Sequence, residues 1–207
     1  MDSTLFPKGI LIGLFIAVPV GPVGLLCISR TLTRGRLAGL VSGLGAATAD
    51  GMYGILAGLG MAYVSEYLID HQVVLRLVGG LLLVCLGLRQ FFAKPGQNQG
   101  LSNGSGLVGY YISTFFLTLT NPLTVLMFAA VFAALGLQAS AGTYTALLAL
   151  IAGVFSGSAL WWLGLTYAVS RFRLMLDVGQ LRILNYVVGS VIFVFGIAAL
   201  GSLIPMA

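Results

Sequence analysis

The chain has 207 residues, of which 7% are charged and 59% hydrophobic. Apolar runs recur along the whole length, the signature of a polytopic membrane protein and an argument against a soluble fold. The formal net charge of +5 sits mainly between those runs, which argues against nucleic acid as a partner.

A membrane span needs about 20 apolar residues, and six can be drawn in chain order: 10–28, 37–64, 73–92, 107–135, 144–170 and 183–204. The first follows a single early basic residue, Lys8, and runs into Pro19, Gly21 and Pro22 without a small-residue cleavage pattern, so it reads as a retained helix. The second carries Asp50, with no other ionisable side chain inside that span. The third is the weakest, because Arg76 and Arg89 leave only 77–88 free of charge. It crosses if both arginines snorkel to opposite interfaces; a re-entrant segment is the competing reading. The stretch 95–106, PGQNQGLSNGSG, reads as a flexible linker. It divides the chain into two units of three spans, 1–94 and 107–207. The expected fold is an all-α integral membrane protein with six transmembrane helices.

Loop charge orients these spans. Arg30, Arg34 and Arg36 fall after the first span, Arg89 and Lys94 after the third, and Arg171, Arg173 and Arg182 after the fifth. Only Lys8 and Arg76 lie opposite. The positive-inside rule makes the three basic loops cytoplasmic and places both termini outside. Glu66, Asp70 and His71 then fall in an external loop, where His71 reads as a solvated residue, since no second histidine exists to complete a metal site.

The two units look related. A shift of 110 positions sets Gly43 on Gly153, Gly54 on Gly164, Gly79 on Gly189 and Val84 on Val194. Three crossings are an odd number, so a second copy must be inverted, and inverted repeats are a recurring transporter plan. The first helix of each unit is also interrupted, from Pro19 through Val20, Gly21, Pro22 and Val23 to Gly24 in span one and from Thr118 through Leu119, Thr120 and Asn121 to Pro122 in span four. Proline removes an amide donor, glycine loosens the backbone, and freed backbone groups survive at membrane depth only when buried in protein or facing a wet cavity. Paired interruptions therefore point to a binding site, although ordinary proline kinks are the plainer reading of either one alone.

Asp50 is the costliest residue in the spans, at roughly 2.5–3.5 kcal/mol on insertion scales, and an intramembrane acid is a functional candidate by default. Its structural alternative is a group hydrogen-bonded to Thr48, Tyr53 or a neighbouring helix. Ser156, Ser158, Trp161 and Trp162 occupy the matching zone of span five, where no acid replaces Asp50. The tryptophans read first as packing or lipid-facing residues and second as a surface on which a substrate stacks. Small residues recur at every fourth place, at Gly9, Gly13, Ala17 and Gly21 and at Gly35, Gly39, Gly43, Ala47 and Gly51. Such stripes let backbones approach. They predict that spans one and two cross near the interruption, and they suit a homodimer contact equally well.

Together, the region from Pro19 to Pro22 with its basic loop, the segment from Gly43 to Asp50, and the pair Asn121-Pro122 resemble the LysE/RhtB family of bacterial amino-acid exporters over almost the whole chain. Leu123 stands where many members have Lys, and Val20 separates Pro19 from Gly21 where the family motif is a bare Pro-Gly-Pro. The departures point to a branch whose substrate need not be lysine. The resemblance implies export of an amino acid or similar small metabolite across the bacterial inner membrane, by proton antiport, with two broken helices forming the site. On that reading Asp50 carries the proton, the substrate's ammonium, or both, while freed amides near Gly21 and the Asn121 side chain receive the substrate's carboxylate; no cofactor is implied.

Two other functions compete. Asp50 and Asn121 are hard oxygen ligands, as a divalent-metal exporter would need, but such cations take about six or more oxygens and the spans offer one carboxylate. Cys27 and Cys85 would suit a membrane thiol-disulfide electron carrier if their Cα atoms lie within about 7 Å; otherwise they are small packing residues. Enzyme chemistry lacks its parts, since the spans hold no paired carboxylates, Ser/His/Asp set or nucleotide loop.

Overall fold

The computed structural model describes residues 4–18, 21–70, 72–93, 104–121, 124–125, 127–128, 144–172 and 175–203. Its regular structure there is entirely helical: α1 Leu5–Ala17, α2 Pro22–Arg34, α3 Arg36–Asp70, α4 Gln72–Phe91, α5 Gly104–Leu119, α6 Tyr144–Phe172 and α7 Val178–Gly201. Three helices, α4, α6 and α7, are long and apolar enough to cross a membrane individually; α1 and α2 together make a fourth candidate, bent by 82° between them. α5 is apolar but shorter. At 20 residues, α4 is an unbroken helix of about 30 Å, enough for the hydrocarbon core, so its arginines sit near its ends rather than dividing it. Large apolar side chains cover the outside of the bundle, among them Leu11 (66% exposed) and Phe15 (73% exposed). That inversion of a soluble surface is what lipid requires.

Helix ends explain several boundaries. Pro22 occupies the first turn of α2 after Gly21 at its N-cap, where a missing amide costs nothing and the fixed φ already suits a helix. α2 gives way to α3 at Gly35, whose φ of 102° favours glycine, and the Gly35 amide still donates to the Thr31 carbonyl at 3.1 Å. α7 begins earlier than the hydropathy predicts, because Asp177 accepts from the Gln180 amide at 2.7 Å while the Gln180 side chain accepts from the Asp177 amide at 3.0 Å. This reciprocal capping box was visible as Asp177-Val178-Gly179-Gln180 but lies outside the apolar run.

The glycine stripes settle who packs on whom, and they correct one expectation. The stripe of α1 packs on α6 rather than on α3, while α2, the second half of span one, lies directly against α3. A Cβ on Gly9 would come within 2.5 Å of the Leu150 carbonyl, and one on Gly157 within 2.1 Å of the Ile10 carbonyl. From α3, Gly43 faces the Trp162 side chain and Gly39 faces Thr31 and Thr166. α4 and α7 share a third close seam, with Gly87 against Phe193 and Gly189 against Phe91. Elsewhere α3 packs along α5, Gly45 lying against Tyr111. The residue pairings run parallel for α1 with α6 and for α3 with α5, and antiparallel for α4 with α7 and for α3 with α6.

Arg30 corrects the loop reading. It lies inside α2, only 5% exposed, whereas Arg34 and Arg36 flank the turn at Gly35 as expected. The basic residues nevertheless gather at one end of the bundle, where the guanidinium groups of Arg36 and Arg171 both lie over the Tyr167 ring. Lys94, Arg173, His71 and residues 95–103 of the linker fall outside the described residues, and its last three residues, 104–106, already belong to α5.

Candidate functional site

Asp50 sits on α3 where α3 faces α6, and is 3% exposed. Its Oδ2 accepts a hydrogen bond from Ser158 Oγ at 2.6 Å, and the same Ser158 oxygen accepts from Trp162 Nε1 at 3.2 Å. The relay is local to α6, since residues four apart share one helix face. Trp162 is 4% exposed, so it neither faces lipid nor belongs to an interfacial belt. Its side chain fills the space that Gly43 leaves open: a Cβ there would come within 2.4 Å of it. Trp161 is partly buried against the same core.

The other partners considered for Asp50 are occupied elsewhere. Thr48 donates to the Leu44 carbonyl at 2.8 Å and accepts from Tyr111 at 2.8 Å. Tyr53 donates to the Leu119 carbonyl and stacks on Phe128 with ring centroids 5.1 Å apart. Leu119 is the last residue of α5, and helix ends leave carbonyls without intrahelical donors. Tyr53 therefore caps the end of the broken helix from α3.

Beside Asp50 lies a cavity of about 40 Å³. Ile16, Ala17, Gly21, Val23 and Gly24 reach it from the α1–α2 bend, Thr118, Asn121, Thr124 and Met127 from the end of α5 and beyond, Ala46 and Asp50 from α3, and Trp162 from α6. Both interruptions thus contribute to one wall. Gly21 has open space where a Cβ would stand, with nothing within 4 Å among the described residues. No side chain caps the start of α2, and first-turn amides have no intrahelical acceptor, so the positive end of this helix adjoins the cavity through Val23 and Gly24. Thr118 Oγ1 is buried with no hydrogen-bond partner among the described residues.

Of the residues singled out in the sequence, Asp50, Gly21, Pro22, Asn121, Tyr53, Ser158 and Trp162 come together around this chamber. Tyr53 lies behind its lining and Pro22 one place from Gly21. Pro19 and Pro122 fall outside the described residues. Ser156 is half-buried and does not line the cavity; two residues from Ser158, it lies about 200° around the helix. Thr124 and Met127 were missed, and Thr118 was read as part of the interruption but not as a site residue. Thr118 had a signal, as a threonine just before the Asn-Pro break; Met127 had none. Cys27 is buried and Cys85 exposed, both as free thiols, so Cys27 packs in the core while Cys85 lies on the outer face. Among the described residues no three of His, Cys, Asp or Glu converge.

The LysE type translocator model matches residues 14–202. The chain belongs to the LysE type translocator family. This translocator is 29% identical over 198 residues, 93% of either chain, to the "Putative amino acid efflux protein YcgF" of Bacillus subtilis (strain 168). It is also 29% identical over 193 residues, 90% of this chain and 85% of the relative, to the "Uncharacterized membrane protein YahN" of Escherichia coli (strain K12). No solved structure matches it. Family membership marks the chain as a transmembrane translocator.

Proposed function

We propose that this translocator exports an amino acid or similar small metabolite across the bacterial inner membrane by proton antiport, with access alternating around the Asp50 chamber. The observation that carries the proposal is the placement of one buried carboxyl group in a cavity walled by both interrupted helices. The carboxyl group takes up a proton from one side and releases it to the other as access changes. In its ionised form it holds the substrate's ammonium. The start of α2 receives the carboxylate, since a helix N-terminus favours anions, and the Thr118 hydroxyl supplies a hydrogen bond that no group among the described residues uses. The relative named for amino acid efflux supports the cargo class.

The packing supports two inverted three-helix units: α1 lies on α6 as α5 lies on α3, and α4 on α7, the exchange that a twofold axis between the units produces. The gathering of arginines at one end supports a cytoplasmic position for that end and external termini. The testing experiment loads proteoliposomes with a panel of labelled amino acids and follows efflux with and without a pH gradient. Efflux accelerated by external acid supports the proposal; efflux of every member at the rate of empty vesicles contradicts it.

A further inference from the structure

A second polar cavity, of about 350 Å³, lies further along α2. Arg30, Arg34 and Arg89 all line it, together with Thr33, Gln90 and Tyr110. From Gly24 to Arg30 the axis of α2 rises about 9 Å, with the buried Leu26 and Cys27 in the intervening turn.

Arg30 is the unusual member. Its Nη1 donates to Ser42 Oγ at 2.8 Å, Thr114 Oγ1 at 2.8 Å and the Tyr110 carbonyl at 3.0 Å, and its Nη2 donates to Ser113 Oγ at 2.9 Å. The hydroxyls send their own protons to carbonyls, Ser42 to Ala38 and both Ser113 and Thr114 to Tyr110. Their lone pairs are therefore left for the guanidinium, which also lies 4.8 Å from the centre of the Tyr110 ring. Four neutral acceptors fix the group in place but leave its charge uncompensated. A guanidinium has five N–H donors, and among the described residues Nε has no acceptor.

Nothing anionic answers this charge. No ion pair to Arg30, Arg34 or Arg89 occurs among the described residues; Asp50 is bonded to Ser158 in the other chamber, and Asp177 caps α7. Keeping a buried cation unpaired is expensive, and two further arginines on the same cavity add to the cost. An anion lodged there offsets it, and the planar fork of arginine suits carboxylate and phosphate oxygens.

We propose that this cavity is a binding site for an oxyanionic group, either the carboxylate of a small solute or the phosphate of a lipid headgroup, with Arg30 as its fixed cation and Arg34 and Arg89 completing it. The site is separate from the Asp50 chamber, and its test reads binding rather than transport, so its failure is distinguishable from failure of the export reading.

Thermal unfolding of the protein in phosphatidylcholine nanodiscs, titrated with sodium acetate, inorganic phosphate or sodium chloride at matched ionic strength, provides the test. Acetate or phosphate raises the unfolding temperature of the wild type beyond chloride, as a ligand of the native state must. In the double variant Arg34→Gln/Arg89→Gln, whose side chains make no described hydrogen bond, half-saturation moves up by about tenfold or more, as loss of charge-assisted bonds demands. Arg182→Gln, an exposed basic residue outside the cavity, leaves it unchanged. Arg30→Lys keeps the charge without the fork and lies between the two. If phosphatidylglycerol added to the nanodisc reproduces the stabilisation and abolishes the acetate response, a lipid phosphate is the occupant; if the acetate response persists beside phosphatidylglycerol, a soluble carboxylate is. Equal shifts from chloride and acetate, or an unaltered acetate response in the double variant, overturn the proposal.

Discussion

The hydrogen bond from Ser158 to Asp50 crosses from α6 to α3, and Trp162 steadies its donor. Ser158→Ala removes that bond while leaving the seam packed, and should alter the pH dependence of export; Trp162→Phe keeps most of the packing and should have the weaker effect. Both are read by efflux measured across a pH series. Thr118 offers a sharper contrast, because its buried hydroxyl has no partner among the described residues. Thr118→Val is nearly isosteric, and since an unsatisfied buried polar group costs about 1–3 kcal/mol, the variant should unfold no more readily than the wild type. If the hydroxyl serves the substrate, half-saturation for efflux should rise all the same. A less stable variant with unchanged half-saturation would assign Thr118 to the fold.

Glycine seams set the spacing of the helices, and their substitutions should divide by position. Gly157→Ala would put a Cβ within 2.1 Å of the Ile10 backbone, so α1 must be pushed from α6 at a cost of about 1–3 kcal/mol, typical of overpacking. Thermal unfolding in detergent should show that loss. Gly164→Ala has open space around it and should be neutral or slightly stabilising, by up to about 1 kcal/mol from helix propensity. Pro22→Ala tests the interruption itself. It should impair export more than Phe195→Ala on the outer face of α7, where Phe195 is 49% exposed. Equal small effects would make the bend an ordinary kink.

At the scale of the whole molecule, the all-helical class and the bend at Gly21-Pro22 were legible because hydropathy and proline act locally along the chain. Asp50 was legible for the same reason. What the chain hid was partnership. A stripe of glycines announces a close approach but not the helix that makes it, which is why the stripe of α1 proved to lie on α6 while only α2 meets α3. Arg30 was hidden more deeply, since counting charges treats an arginine as a loop marker; the groups that accept its protons, Ser42, Ser113 and Thr114, are ordinary polar residues scattered over two other helices. Ser156 was drawn in by its place in the repeat, although helical geometry turns it from the cavity that Ser158 meets through its bond to Asp50.

The account rests on Asp50 coupling proton movement to export. The most direct measurement compares wild type and Asp50→Asn in proteoliposomes, after confirming equal insertion, by following efflux of the transported amino acid with and without an imposed pH gradient. The account predicts that wild-type efflux responds to the gradient and that Asp50→Asn loses proton-coupled efflux altogether. Wild-type rates with an unaltered pH response in Asp50→Asn would contradict it.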